Sequence, residues 1–208
     1  MKTKTHRIGV IGSGNMGGQL GRLWAKAGYE VMFSSRNPEG LKLLVEDLKN
    51  ARVGTVEDTI DFGDVIVLAI NYGTLQQVID KLKDRDKTII DLTNPVYWTA
   101  NKTLAKVNLN GKSAGENLQA ILPKAKVIKA FSSHYAASLQ EGHREYPIAV
   151  FYTTDFEINK ELAERLISDI GFEPLFYGGL ERSLDIELYG KYSNKIMSRE
   201  EALASIGQ

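Results

Sequence analysis

Gly12, Gly14 and Gly17 stand in the spacing G-x-G-x-x-G, with Ser13, Asn15 and Met16 between them. A chain with 19 glycines in 208 residues would show the bare pattern by chance in roughly one case in seven, so its context decides what it means. An apolar run, Arg7 to Ile11, precedes it, and Met16, Leu20, Leu23, Trp24 and Ala27 follow at helical spacing. Strand, glycine turn and helix in that order are what a dinucleotide pyrophosphate needs. The first glycine makes the tight turn, the second leaves room for phosphate against the backbone, and the third lets the helix pack closely on the strand. The unpaired N–H groups of the helix then face the negative charge. The bland alternative is a glycine-rich turn that only lets a strand meet a helix.

About 20 residues past the first glycine, an NAD site places an acid on the ribose 2′-hydroxyl. Here the sequence reads Ser34-Ser35-Arg36-Asn37-Pro38, with no acid. A guanidinium flanked by two short hydroxyl donors suits a 2′-phosphate, which favours NADP(H) over NAD. Against this stands a plainer possibility, a solvated loop arginine beside a serine that caps a turn.

Other chemistry must come from the loops after the strands, because a doubly wound sheet binds its ligand across their carboxyl ends. Those loops are Asn71-Tyr72-Gly73, Thr93-Asn94-Pro95 and Phe131-Ser132-Ser133-His134-Tyr135. All three are polar or aromatic, and the site is expected to be lined by them, Asn71 and Asn94 included. His134 is the candidate proton donor or acceptor ligand; its alternative is a helix-entry histidine bonded to the loop. His6 and His143 read as surface residues, and no histidine spacing suggests a metal.

Several reaction classes drop out. With no cysteine there are no disulfides, thiolate metal sites or dithiol chemistry, so redox work needs a bound cofactor. None of the nine tyrosines has a lysine four positions on, which removes the Tyr-x-x-x-Lys dehydrogenase arrangement. Nucleophile-elbow, Walker A and His-Glu-x-x-His patterns are missing too. Basic and acidic residues balance at 26 each, giving no electrostatic footprint for nucleic acid or an anionic membrane. The longest aliphatic run, Val65 to Ile70, is far short of the roughly 20 residues that span a bilayer. The basic first residues lead into glycines before a signal-peptide core forms. A cytoplasmic protein is expected.

The elements that must position these residues follow from the pattern. Strands are expected at Arg7 to Ile11, Glu30 to Ser34, Val65 to Ile70, Thr88 to Leu92, Val127 to Ala130 and Ile148 to Tyr152. Helices are expected after Asn15, from Pro38 through Leu48, at Leu75 to Leu82, Glu116 to Ile121 and Ile158 to Ile170, through Leu184, Ile186 and Leu188, and from Ser198. Residues 94 to 122 read as an irregular crossover. Continuous apolar strands alternating with helices imply an α/β, Rossmann-type, doubly wound and mostly parallel sheet with helices on both faces. The expected organisation is one dinucleotide-binding domain over 1–208, with its core at about 7–152 and a small C-terminal embellishment at about 153–208.

Ile8-Gly-Val-Ile-Gly-Ser-Gly-Asn-Met-Gly17, Ser35-Arg-Asn-Pro38, Asp91-Leu-Thr-Asn-Pro95 and Lys129-Ala-Phe131 occur in the order seen in coenzyme F420-dependent NADP oxidoreductases. The chain resembles that family over roughly residues 7 to 188. The family includes the cytoplasmic NADPH-binding domains of membrane ferric reductases. The resemblance implies hydride exchange between NADP(H) and a flat acceptor, F420 or a flavin. It implies that Gly12 to Gly17 hold the pyrophosphate and that Ser35 and Arg36 hold the 2′-phosphate. Ala69, Ile70, Asn94, Pro95 and Ala130 would lie along the ribose and nicotinamide. Ser132 stands where the family pattern has asparagine, and Phe151 to Thr154 replace a glycine-aspartate stretch; both departures fall on the acceptor side.

The expected function is therefore an NADP(H)-dependent oxidoreductase with a small-molecule hydride acceptor. A redox sensor that binds NADPH without turnover, and an imine or β-hydroxyacid reductase, are the alternatives. The aromatic tail with Tyr189 and Tyr192 leaves room for a homodimer.

Overall fold

The computed structural model describes residues 6–35, 38–139 and 147–207. An apolar stretch buried on both sides has no polar face to give to water and is covered on both faces. The strands β1 (Arg7–Ile11), β2 (Glu30–Ser34), β3 (Ala51–Gly54), β4 (Val65–Leu68), β5 (Thr88–Asp91), β8 (Lys126–Ala130), β9 (Ala149–Thr153) and β10 (Glu173–Gly178) form one eight-stranded sheet, in the order β10-β9-β8-β5-β4-β1-β2-β3. Six strands run parallel, and β9 and β10 run against them, paired parallel to each other. This is the Rossmann-type arrangement expected. The strand order reverses at β1, which lies between β2 and β4, and that places the crevice at the carboxyl ends of β1 and β4.

All of β4 is buried, and alternate residues serve opposite faces. Val65 and Val67 join Ile8, Val10, Leu20, Trp24 and Phe33 in one core, while Ile66 and Leu68 join Ile60, Ile79, Ile89 and Val127 in the other. Helices α1 (Asn15–Lys26) and α6 (Ile158–Ser168) cover the first face, joined by the Trp24 indole N–H donating to Leu166 O at 2.8 Å. Helices α3 (Val56–Phe62), α4 (Gln76–Leu82) and α5 (Ala114–Ile121) bring Ile60, Ile79 and Leu118 to the second.

Several expectations need correction. Residues 51–62, which the apolar pattern leaves without an element, form β3 and α3. The signal was a capping box, since Thr55 Oγ1 accepts from Asp58 N while the Asp58 carboxylate accepts from Thr55 N. The run from Pro38 is not a full helix but a 3-10 turn, Pro38–Leu41, followed by the single turn α2 (Lys42–Val45). The supposed crossover contains a two-stranded antiparallel ribbon, β6 (Val96–Trp98) and β7 (Leu104–Lys106), before α5. The helix expected through Leu188 is one turn, α7 (Ser183–Ile186); Glu187 is extended because its carboxylate accepts from Ala114 N at the start of α5 instead. Strand β4 stops at Leu68, and the last helix is α8 (Arg199–Ile206), capped by Ser198 as expected.

Candidate functional site

The three loop glycines have three different physical reasons. Gly12 has φ +98°, and a Cβ there would sit 2.3 Å from Ala69 O. A Cβ on Gly17 would sit 2.1 Å from Gly12 O and 2.8 Å from Ala69 Cβ. Both positions are closed by the protein's own turn and helix packing. Gly14 differs, because a Cβ there would meet no atom within 4 Å. It is exposed, extended, and the N-cap of α1 with no side-chain bond to the helix's first N–H groups, and the first turn carries no acid. Those donors and the positive end of the helix dipole therefore face open space, as a bound phosphate requires.

Two cavities extend from this point along the carboxyl edge of the sheet. One, of about 270 Å³, is lined by Gly12, Ser13, Ser34, Ser35, Val56, Thr74 and their neighbours. Ser13 Oγ donates to Ser34 O at 2.9 Å and Ser35 N to Gly54 O at 3.2 Å, so the ends of β1, β2 and β3 are fixed together. Arg36, the residue expected to read a 2′-phosphate, follows directly and lies outside the described residues. The other cavity, of about 350 Å³, is walled by Met16, Ala69, Ile70, Asn71, Asn94 and the ribbon residues Val96, Tyr97, Trp98 and Leu104, among others. Ile70 lines both.

Asn94 braces the second cavity. Its Nδ2 donates to Ser132 O at 2.9 Å and its Oδ1 accepts from Leu188 N at 2.7 Å, joining the loops after β5 and β8 to the C-terminal segment. Beneath it lies a cluster of charges. The Lys129 ammonium, wholly buried, donates to Asp91 Oδ2 at 2.8 Å and to Thr93 O, and lies 3.8 Å from Glu187 Oε1. Asp91 Oδ1 also accepts from Thr93 N at 2.8 Å. Burial pushes the Glu187 carboxyl above its ordinary range, against the pull of Lys129. Tyr72 donates its ring to the cavity wall, while its hydroxyl accepts from Asn117 Nδ2 at 3.0 Å. Burial raises that phenol further, so it stays protonated at neutral pH.

Most of the expected site residues thus meet along one edge: Gly12, Ser13, Gly14, Asn15, Met16, Gly17, Ser34, Ser35, Ala69, Ile70, Asn71 and Asn94. Pro95 continues the Asn94 loop but is not a wall of the cavity. Ala130 is buried in the core on β8, where it pairs with Tyr152, rather than facing the cavity. His134 is also buried, with Nδ1 3.2 Å from Ser133 Oγ, and is not among the cavity walls. The aromatic ribbon was missed: three-residue strands carry too few residues for a period-2 pattern to show.

Residues 7–95 match the family of NADP oxidoreductases described as coenzyme F420-dependent. It is the family that the sequence motifs resemble. Among curated proteins the chain is similar to metalloreductase STEAP3 of Rattus norvegicus, 28% identical over 184 residues that cover 87% of this chain and 36% of the relative. The chain spans about a third of the length of the curated relatives it matches. Among solved structures it is similar to a hypothetical protein of Sinorhizobium meliloti, with TM-score 0.83, 21% identity, and coverage of 93% of this chain and 95% of that one. A proposed F420-dependent NADP-reductase of an Arthrobacter species has TM-score 0.73 and 19% identity, covering 84% and 86%. These structural likenesses are likenesses of fold. They share the Rossmann-type fold over most of the chain. Among the described residues, no helix is long and apolar enough to cross a membrane.

Proposed function

We propose that the chain, acting as one dinucleotide-binding unit, binds NADP(H) along this edge and passes hydride between its nicotinamide and a small flat acceptor, a flavin or F420. The observation that carries the reading is Gly14, which nothing in the protein requires to be glycine and which borders the free N–H groups of α1. The pyrophosphate would rest on those groups. The cavity at Ser13, Ser34 and Ser35 would take the adenosine end, with Arg36 on the 2′-phosphate. Met16, Ala69, Ile70, Asn71 and Asn94 would border the nicotinamide in the second cavity. Bound there, NADPH supplies a hydride, and the proton that completes the acceptor's reduction comes from solvent. The protein's part is to hold both rings in register at a site open to solvent, so no side-chain acid is needed and His134 has no step. The reading belongs to a compartment that holds NADPH, the cytoplasm.

Two measurements test it together. Titration with NADPH and NADH should show the phosphorylated cofactor binding more tightly. Loss of NADPH absorbance with F420, FMN, FAD or a ferric chelate should identify the acceptor. Tight NADPH binding without turnover on any of them would move the assignment to a sensor that responds to NADPH through its contacts.

A further inference from the structure

Glu187 takes no part in the hydride step, and the residue is only 3% exposed. Burying an ionisable group is costly unless it is bonded where it lies. The start of α5 does not by itself account for that cost. Ser113 Oγ accepts from Glu116 N at 2.9 Å and the Glu116 carboxylate accepts from Ser113 N at 2.8 Å, so local residues already close a capping box there. Glu187, 73 residues beyond Ala114, takes the two other first-turn donors, Ala114 N at 2.8 Å and Gly115 N at 3.4 Å. The same Oε1 lies 3.8 Å from the Lys129 ammonium, which Asp91 Oδ2 and Thr93 O already hold.

These contacts fix a segment that walls the second cavity. Glu187 is extended at the end of α7. Its side chain reaches back to α5 and Lys129, while the N–H of the next residue, Leu188, donates to Asn94 Oδ1 at 2.7 Å. Leu188 and Asn94 both line the cavity. Asn94 Nδ2 donates to Ser132 O at 2.9 Å, and Ser132 Oγ donates to the carbonyl of Ile186, the residue before Glu187, at 2.9 Å. The packing behind the segment is close, since a Cβ on Gly115 would lie 3.0 Å from Ser183 Oγ on α7. A primary amide carries two N–H groups and two lone pairs on its oxygen. With one of each bonded to the protein, Asn94 keeps one N–H and one lone pair, in directions set by Ser132 O and Leu188 N.

We propose that Glu187 is a positioning residue for the nicotinamide end of the cofactor: it pins the segment after α7 so that Leu188 N holds the Asn94 amide in one orientation in the cavity wall. The role depends on that cavity holding the nicotinamide, as proposed above. The terminal torsion of an asparagine is soft, so its amide keeps one orientation only while both partners stay in place. A donor and acceptor ordered before the ligand arrives spare the complex the cost of ordering them. A carboxylate that served only the fold would affect every part of the cofactor alike.

Calorimetric titration with NADPH and with 2′-phospho-ADP-ribose, which lacks the nicotinamide, separates the two cases. The native protein should prefer NADPH. Glu187→Ala should weaken NADPH about fivefold, the effect of one hydrogen bond, and leave 2′-phospho-ADP-ribose unchanged. Glu187→Gln, which keeps an acceptor for Ala114 N, should restore the native ratio. Asn94→Ala should reduce the ratio as Glu187→Ala does, and the double variant should lose no more than either single one, because both act on the same contact. Melting temperatures report the fold separately. Where Glu187→Ala does not fold, Glu187→Asp gives the same test, since it keeps a charge beside Lys129 but is one methylene short of Ala114 N. A native ratio in the alanine or aspartate variant, equal losses for both ligands, or additive losses in the double variant would each overturn the proposal and leave the cofactor's placing intact. Equal affinities in the native protein would overturn that placing and this role together.

Discussion

At Gly14 an added methyl group would enter space bounded by no protein atom, and its φ of −79° is open to any residue. Gly14→Ala should therefore keep or slightly raise the melting temperature, because alanine restricts the unfolded chain more than glycine does. The same change should weaken NADPH binding at least tenfold if phosphate occupies that space. Gly17→Ala should instead destabilise the protein by about 1–3 kcal/mol or more, since its Cβ would drive into Gly12 O. Denaturant unfolding and cofactor titration on both variants separate packing from binding. Arg36→Ala should cost about 1–3 kcal/mol in NADPH affinity, the range for a charge-assisted contact, and leave NADH almost unchanged. Equal losses for both cofactors would remove Arg36 as the 2′-phosphate reader.

Between elements, the dominant polar connection is the ammonium of Lys129 on β8 reaching across to Asp91 on β5, with Glu187 from the segment after α7 alongside. Taking one partner out of a buried pair leaves a charge without compensation, which costs about 3–5 kcal/mol. Lys129→Met should unfold at correspondingly lower denaturant. Glu187 carries a shifted carboxyl. Burial raises its pKa above the ordinary 4.5, so the folded chain binds the proton more tightly than the unfolded one. That contribution is complete below the unfolded value and is lost as pH rises through the folded value. Glu187→Gln, which cannot ionise, should flatten the fall in stability on moving up from about pH 4.5 while keeping an acceptor for Ala114 N. A stability profile as steep as the native one would show that Glu187 does not titrate in this window.

For the molecule as a whole, the proposed cofactor joins the ends of β1, β2 and β4, the elements on which the sheet reverses. A ligand that binds only the folded state stabilises it by about 2.7 kcal/mol at a hundred times its dissociation constant. For a chain of this size that is roughly 5–10 °C in melting temperature. A thermal shift of that order with NADPH, and a smaller one with NADH at equal concentration, is the expected result.

The sequence by itself determined the Rossmann-type sheet, its main strands and the glycine turn between β1 and α1, because these rest on local signals: unbroken apolar strands, helical spacing after Gly17, and glycines at a fixed separation. It also supplied Asn94 and the Asp91 and Lys129 motifs, though only as motifs. That Asp91, Lys129 and Glu187 form one buried cluster depends on β8 lying beside β5 and on α7 ending where it does, facts written in no single window. The same holds for the ribbon β6–β7, whose short strands gain their meaning only by facing Leu188 across the cavity, and for His134, whose place after a strand said nothing about which way the loop would bury it. Periodicity reports which face of an element is apolar; which elements become neighbours is settled by packing the whole chain, and the second cavity is made almost entirely of such neighbours.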